Sequence, residues 1–150
     1  MSPVPSTQQS AMPTLGGNKP ALNTAGQISL MQWTPRIVAM TGTTRTLTAA
    51  ESGTIFTNVG LTAAITVTLP AISTGPWYFK FLQGAGYAIV VTAATADTMI
   101  TFNDAAADSV AFQTSSEMIG GHIEVFCDGT SLFALPVLAS ESQTVTIATA

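Results

Sequence analysis

The sequence predicts an all-β protein: a β-sandwich or jelly-roll-like barrel over residues 36–150, preceded by an extended, proline-rich arm over residues 1–35. Three observations predict it. Short alternating runs, of which Ile65-Thr66-Val67-Thr68-Leu69 is the clearest, put aliphatics on one strand face and hydroxyls on the other. Turn-forming residues separate such runs at roughly 8–12-residue intervals, the spacing of sandwiches and barrels. No amphipathic helical period intervenes.

The arm comes first. Pro3, Pro5, Pro13, Pro20 and Pro35 recur among Ser, Thr, Gln, Gly and Asn, and no strand or helix period is sustained. So few apolar residues cannot offset the roughly 1–2 kcal/mol that ordering each backbone residue costs. Leu15, Ile28, Leu30, Met31 and Trp33 are the exceptions, suited to pockets on a neighbouring surface. The plainer alternative is a tail with Trp33 tucked onto its own domain. Fully extended, the arm reaches on the order of 115 Å.

From Arg36 the expected strands run 36–40, 45–48, 54–59 and 64–69, with a single helical turn at Ala49-Ala50-Glu51. Ser52-Gly53 and Asn58-Val59-Gly60 supply turns that tolerate positive φ. Pro70 has no N–H for a β-ladder and closes the fourth strand. Ser73-Thr74-Gly75-Pro76 turns the chain into a strand over 77–83, where Trp77, Phe79 and Phe81 share a face. Gly84-Ala85-Gly86 leads to 87–93, and shorter strands follow at 98–102 and 109–112, with Asn103-Asp104 opening the loop between them. In 121–127, Ile123, Val125 and Cys127 face one way and His122, Glu124 and Phe126 the other. Asp128-Gly129 predicts a type I′ hairpin into 132–135, and 144–148 ends the series.

Composition narrows the function. Charged residues make up 8% of the chain, against about 25% in typical soluble domains. The longest near-apolar run, Ala88 to Ala96, falls far short of the roughly 20 residues of a spanning helix, so no membrane partner is expected. Abundant Val, Ile and Thr argue against disorder. A neutral, threonine-rich β-surface is prone to edge pairing, which predicts edges paired or covered, most simply by copies of the same chain. Net charge is −4, and Lys19, Arg36, Arg45 and Lys80 form no cluster, so nucleic acid is not an expected partner. The first residues, MSPVPSTQQS, lack the basic and apolar regions of a secretory signal, which predicts a protein made and left in the cytoplasm.

No constellation suits catalysis or a cofactor. His122 with Glu124 is half a metal site at best. Lone Cys127 lies on the opposite face from His122 and reads as a small buried hydrophobe. Asp97, Asp104 and Asp108 match no calcium-loop spacing and read as turn caps. Trp77 and Tyr78 are adjacent, so one belongs to the core and the other could stack on a sugar. Phosphate-binding glycine loops and nucleophile elbows are not found, and the expectation is a non-enzyme without cofactor.

One set of motifs points further. Glu51-Ser52-Gly53-Thr54, Asn58-Val59-Gly60 and the alternating run into Leu69-Pro70 are followed by the hydrophobic strand 77–83, Thr92-Ala93-Ala94 with Asp97-Thr98-Met99-Ile100, and Val125-Phe126-Cys127-Asp128-Gly129. In this order, over Leu47 to Leu135, the chain resembles a β-module that recurs in tailed-phage virion proteins: capsid decoration (cement) proteins, head fibres and some tail-associated proteins. The resemblance implies a virion structural protein, commonly a homotrimer. The first expectation is a decoration protein on the outer head surface, partnered by its own copies and by the major capsid protein. Its capsid contacts would be Leu15, Ile28, Leu30, Met31, Trp33 and Arg36. The alternative is a head or tail fibre module that binds a host receptor or glycan through Trp77, Tyr78 and Tyr87. A bacterial appendage subunit is disfavoured by the missing signal. The chain departs from the pattern in its long arm and in residues 139–150, the parts expected to set its station.

Overall fold

The computed structural model describes residues 35–149. These form twelve strands: β1 (Arg36–Ala39), β2 (Thr44–Thr46), β3 (Thr54–Thr57), β4 (Ile65–Thr68), β5 (Trp77–Leu82), β6 (Ile89–Thr92), β7 (Met99–Thr101), β8 (Asp104–Ala107), β9 (Ser109–Phe112), β10 (His122–Cys127), β11 (Leu132–Val137) and β12 (Val145–Ala148). Among the described residues the only helical pieces are 3-10 turns at Ala49–Glu51, Ile72–Thr74 and Ser115–Glu117. The all-β expectation and the single helical turn at 49–51 both hold.

Two sheets face each other. One has seven strands in the order β1-β3-β5-β10-β11-β7-β8, the other five in the order β12-β9-β6-β4-β2. The first six strands alternate between the sheets, and their neighbours run parallel: β1 with β3, β3 with β5, β2 with β4, β4 with β6. Residues 36–92 are thus three turns of a two-sheet winding. Parallel neighbours need a long crossover, usually a helix; here the crossover is a strand of the opposite sheet. The second half adds antiparallel pairs, β10 on β5, β11 on β10, β9 on β6 and β12 on β9. The sandwich is the one expected, but its first half winds in parallel where a jelly roll would alternate antiparallel strands. Periodicity cannot separate these cases, because a strand with one buried face reads the same in either direction.

The core lies between the sheets. Phe56, Phe79 and Phe81 from the seven-stranded sheet and Ile65, Val67, Ile89 and Val91 from the other are fully buried. Each contributes about 1.5–3 kcal/mol. Phe56 packs on Phe81 with ring centroids 5.8 Å apart, and Trp77 on Phe79 at 5.4 Å.

Three local expectations are corrected. The segment after Asn103 is strand β8 rather than loop; Asp-Ala-Ala-Ala carries no β-signal, and it is held by backbone pairing to β7 and by Asp104, which accepts from the Ala106 N–H. Strand β11 continues through Pro136 to Val137, since β7 pairs with it only at Phe133 and asks no N–H of the proline. The β10–β11 turn is not type I′, which needs two central residues at positive φ. Only Gly129 has one (φ 95°), and the Asp128 carboxylate caps the loop by accepting from the Thr130 and Ser131 N–H groups.

Candidate interaction face

The motifs that carry the resemblance turn out to be joints. The Glu51 carboxylate accepts from the Thr48 N–H (3.0 Å) and from Arg45 (2.8 Å). The Ser52 hydroxyl accepts from the Tyr78 N–H, and Gly53, at φ +82°, donates its N–H to the Tyr78 carbonyl. Those bonds fasten one winding to the next. Asn58 is fully buried: its amide donates to Gln83 and to the Tyr87 carbonyl, and its Oδ1 accepts from the Gly84 and Ala85 N–H groups. Gly84 has no room for a Cβ, which would overlap Val59 and Thr57. Gly75 is likewise pressed against Cys127 and the backbone of Gly129. Cys127 is buried, its Sγ accepting from the Gly129 N–H.

An inward-pointing arginine closes the first turn of the winding. Arg45 lies on edge strand β2 in register with buried Val67, and its guanidinium sits 4.7 Å from the Phe56 ring centroid while pairing with Glu51. A charge aimed inward from an edge opposes strand addition. Edge strands β1, β2, β8 and β12 have only three or four residues each. Short edge strands and an inward-aimed arginine are both devices that limit strand addition at a sheet edge.

The open surface lies instead on the outer face of the seven-stranded sheet. Tyr78, Phe126, Phe133 and Ile100 stand in register across β5, β10, β11 and β7. Phe126 and Phe133 stack at 5.4 Å. Leu135 and Val137 extend this row along β11, each 46% exposed. Strand β11 is therefore apolar on both faces, since Leu132 and Ala134 point into the core. The polar groups of the face sit beside the row: Lys80 pairs with Glu124 at 3.0 Å, and His122 Nε2 lies 3.8 Å from the same carboxylate. Burial, then the Lys80 charge, holds the His122 imidazole below its ordinary pKa against the pull of Glu124. Burial, then the Glu124 charge, raises that of Tyr78.

The candidate sugar contacts separate. Trp77 is core, 3% exposed and opposite Cys127 in register, which removes it as a surface contact; its neighbour Tyr78 points outward, as adjacent strand residues must. Tyr87, 44% exposed, stands on the loop between β5 and β6. Arg36 is exposed on edge strand β1. Leu15, Ile28, Leu30, Met31 and Trp33 lie outside the described residues. Asp97 caps a turn by accepting from the Ile72 N–H, and Asp104 caps the start of β8. Among the described residues no three His, Cys, Asp or Glu side chains converge to hold a metal ion, and no helix is long and apolar enough to cross a membrane. Sequence reading missed the apolar face, although the unbroken run Leu132–Leu138 carries its signal: a strand apolar at every position puts apolar side chains on both of its faces.

No protein-family model matches this chain, and no curated protein matches it.

Proposed function

We propose that the protein is a virion structural protein, a capsid decoration (cement) protein that binds the outer head surface of a tailed phage as a homotrimer and stabilises it. The observation that carries this reading is the apolar outer face of the seven-stranded sheet, a surface built for assembly on a rigid two-sheet scaffold. The likeness to phage β-modules supports it, and the residues behind that likeness serve as joints of the scaffold. Partner-specific contacts then fall to the N-terminal segment with Leu15, Ile28, Leu30, Met31 and Trp33, and to Arg36 where that segment enters the sheet. Several segments of modest affinity on one oligomer gain about 10²–10⁴ in avidity around a symmetric capsid site.

Deleting residues 1–35 is expected to leave a folded oligomer that no longer binds purified heads, read by co-sedimentation. Full occupancy of heads by the truncated protein would sink the proposal. The half-buried, outward-facing Tyr78 and the exposed Tyr87 keep a receptor- or glycan-binding fibre module as the second reading. That module would bind host cells or glycan arrays and be present in a few copies per particle, whereas a decoration protein adds to heads in large, symmetry-fixed number.

A further inference from the structure

We infer that residues 139–149 form a strap, latched by Gln143, that lifts off the sandwich as one unit and so opens and covers the edge of β9. The strap lies outside the likeness to phage modules, and its opening does not depend on the assembly reading proposed above.

The strap is held differently from the rest of the fold. Strand β12 pairs with β9 alone, at the edge of the five-stranded sheet. Of residues 139–149 only Gln143 is buried, while Val145 and Ile147 reach the margin of the core and stay partly exposed. By contrast β10 lies between β5 and β11 and buries Ile123, Val125 and Cys127. Polar bonds fasten the strap along its length. At its start the Ser140 and Ser142 hydroxyls donate to the Glu117 carboxylate at 3.0 and 2.6 Å. Gln143 then clasps the Thr114 backbone in both directions: its Nε2 donates to the Thr114 carbonyl and its Oε1 accepts from the Thr114 N–H, each at 2.7 Å. At the far end the Thr149 hydroxyl donates to Asp104 on β8, an edge of the other sheet.

Segments with few buried apolar contacts and solvent-exposed hydrogen bonds open below the free energy of global unfolding. Bonds at both ends oppose gradual peeling and favour opening in one step. When the strap lifts, β9 keeps its place through β6, while Val110 and Phe112 lose the Ile147 and Val145 that stand in register with them. The open state thus bares both the backbone edge of β9 and the flank of the core behind it.

Three amides outside the strap report on it. The N–H groups of Thr114, Gln113 and Asp108 donate to Gln143 Oε1, the Thr144 carbonyl and the Ala148 carbonyl, and so span it from start to finish. The test is hydrogen–deuterium exchange of the full chain, resolved amide by amide. The three are expected to share one protection factor, about 100-fold or more below that of the β10 amides. Gln143→Ala is expected to lower it by about tenfold or more. Should that variant not fold by circular dichroism, Glu117→Ala, outside the strap, is expected to lower the same three together. Val125→Ala, a core truncation in β10, is expected to lower β10 protection by about tenfold or more and leave the three unchanged, because Val125 stays packed while the strap is open. Dilute urea is expected to act as Val125→Ala does, since lifting the strap exposes little surface. Protection of the three equal to that of β10, exchange graded from Asp108 to Thr114, no response to Gln143→Ala, or an equal fall in the three with Val125→Ala or urea each overturns the inference.

Discussion

Asn58 shows how one side chain can hold a loop. Its carboxamide is completely buried and spends both donors and its oxygen on Gln83, the Tyr87 carbonyl and the N–H groups of Gly84 and Ala85. Buried polar groups left unmade cost about 1–3 kcal/mol each, and several would be orphaned together. Asn58→Ala is therefore expected to destabilise the protein by about 3 kcal/mol, read as a lowered urea midpoint at unchanged slope. In sequence, Asn58-Val59-Gly60 reads as turn chemistry. Gly60 does have φ +85°, but the asparagine is a clamp whose partners lie 25 to 29 residues away. No local pattern encodes partners at that separation.

At the scale of elements, the joint between the first two turns of the winding depends on pH. Burial alone would raise the Glu51 pKa, but the Thr48 N–H and then the Arg45 guanidinium outweigh it and hold the carboxyl below its ordinary value of 4.5. A carboxyl with a depressed folded-state pKa stabilises the fold fully above its unfolded value, and the contribution fades as pH falls through the folded value. The pair is partly exposed, so its worth is about 0.5–1 kcal/mol. Glu51→Gln should lower stability by that amount at neutral pH and show a shallower loss below pH 4.5, the two proteins converging in acid; parallel acid limbs in urea titrations would refute the assignment. Most strands were legible one by one, because alternation exposes a buried face directly. The missed pieces, β8 and the end of β11, are held by neighbours rather than by their own residues.

At the scale of the whole two-sheet body, residues 35–149, cohesion comes from the apolar layer between the sheets. Among the described residues the ion pairs are Arg45–Glu51 and Lys80–Glu124, with His122 close to the latter carboxylate, and all of these side chains are partly solvated. Such pairs are worth at most about 1 kcal/mol and are screened by salt. Unfolding free energy is therefore expected to change by less than roughly 1 kcal/mol between low and high sodium chloride, measured by urea denaturation. A larger loss in salt would show that electrostatics carries the fold.

The sequence by itself determined most of the strands, the helical turn at 49–51, the shared face of Trp77, Phe79 and Phe81, and that Trp77 and Tyr78 point opposite ways, because each follows from a period of two and local turn chemistry. Which strands pair, and in which direction, was decided only in three dimensions. Parallel winding over residues 36–92 and the ranking of Tyr78, Phe126, Phe133 and Ile100 into one row depend on register between segments far apart in the chain. Alternation says which residues share a face of one strand. Only pairing says which strands share that face, and so where apolar side chains from separate strands gather into one surface.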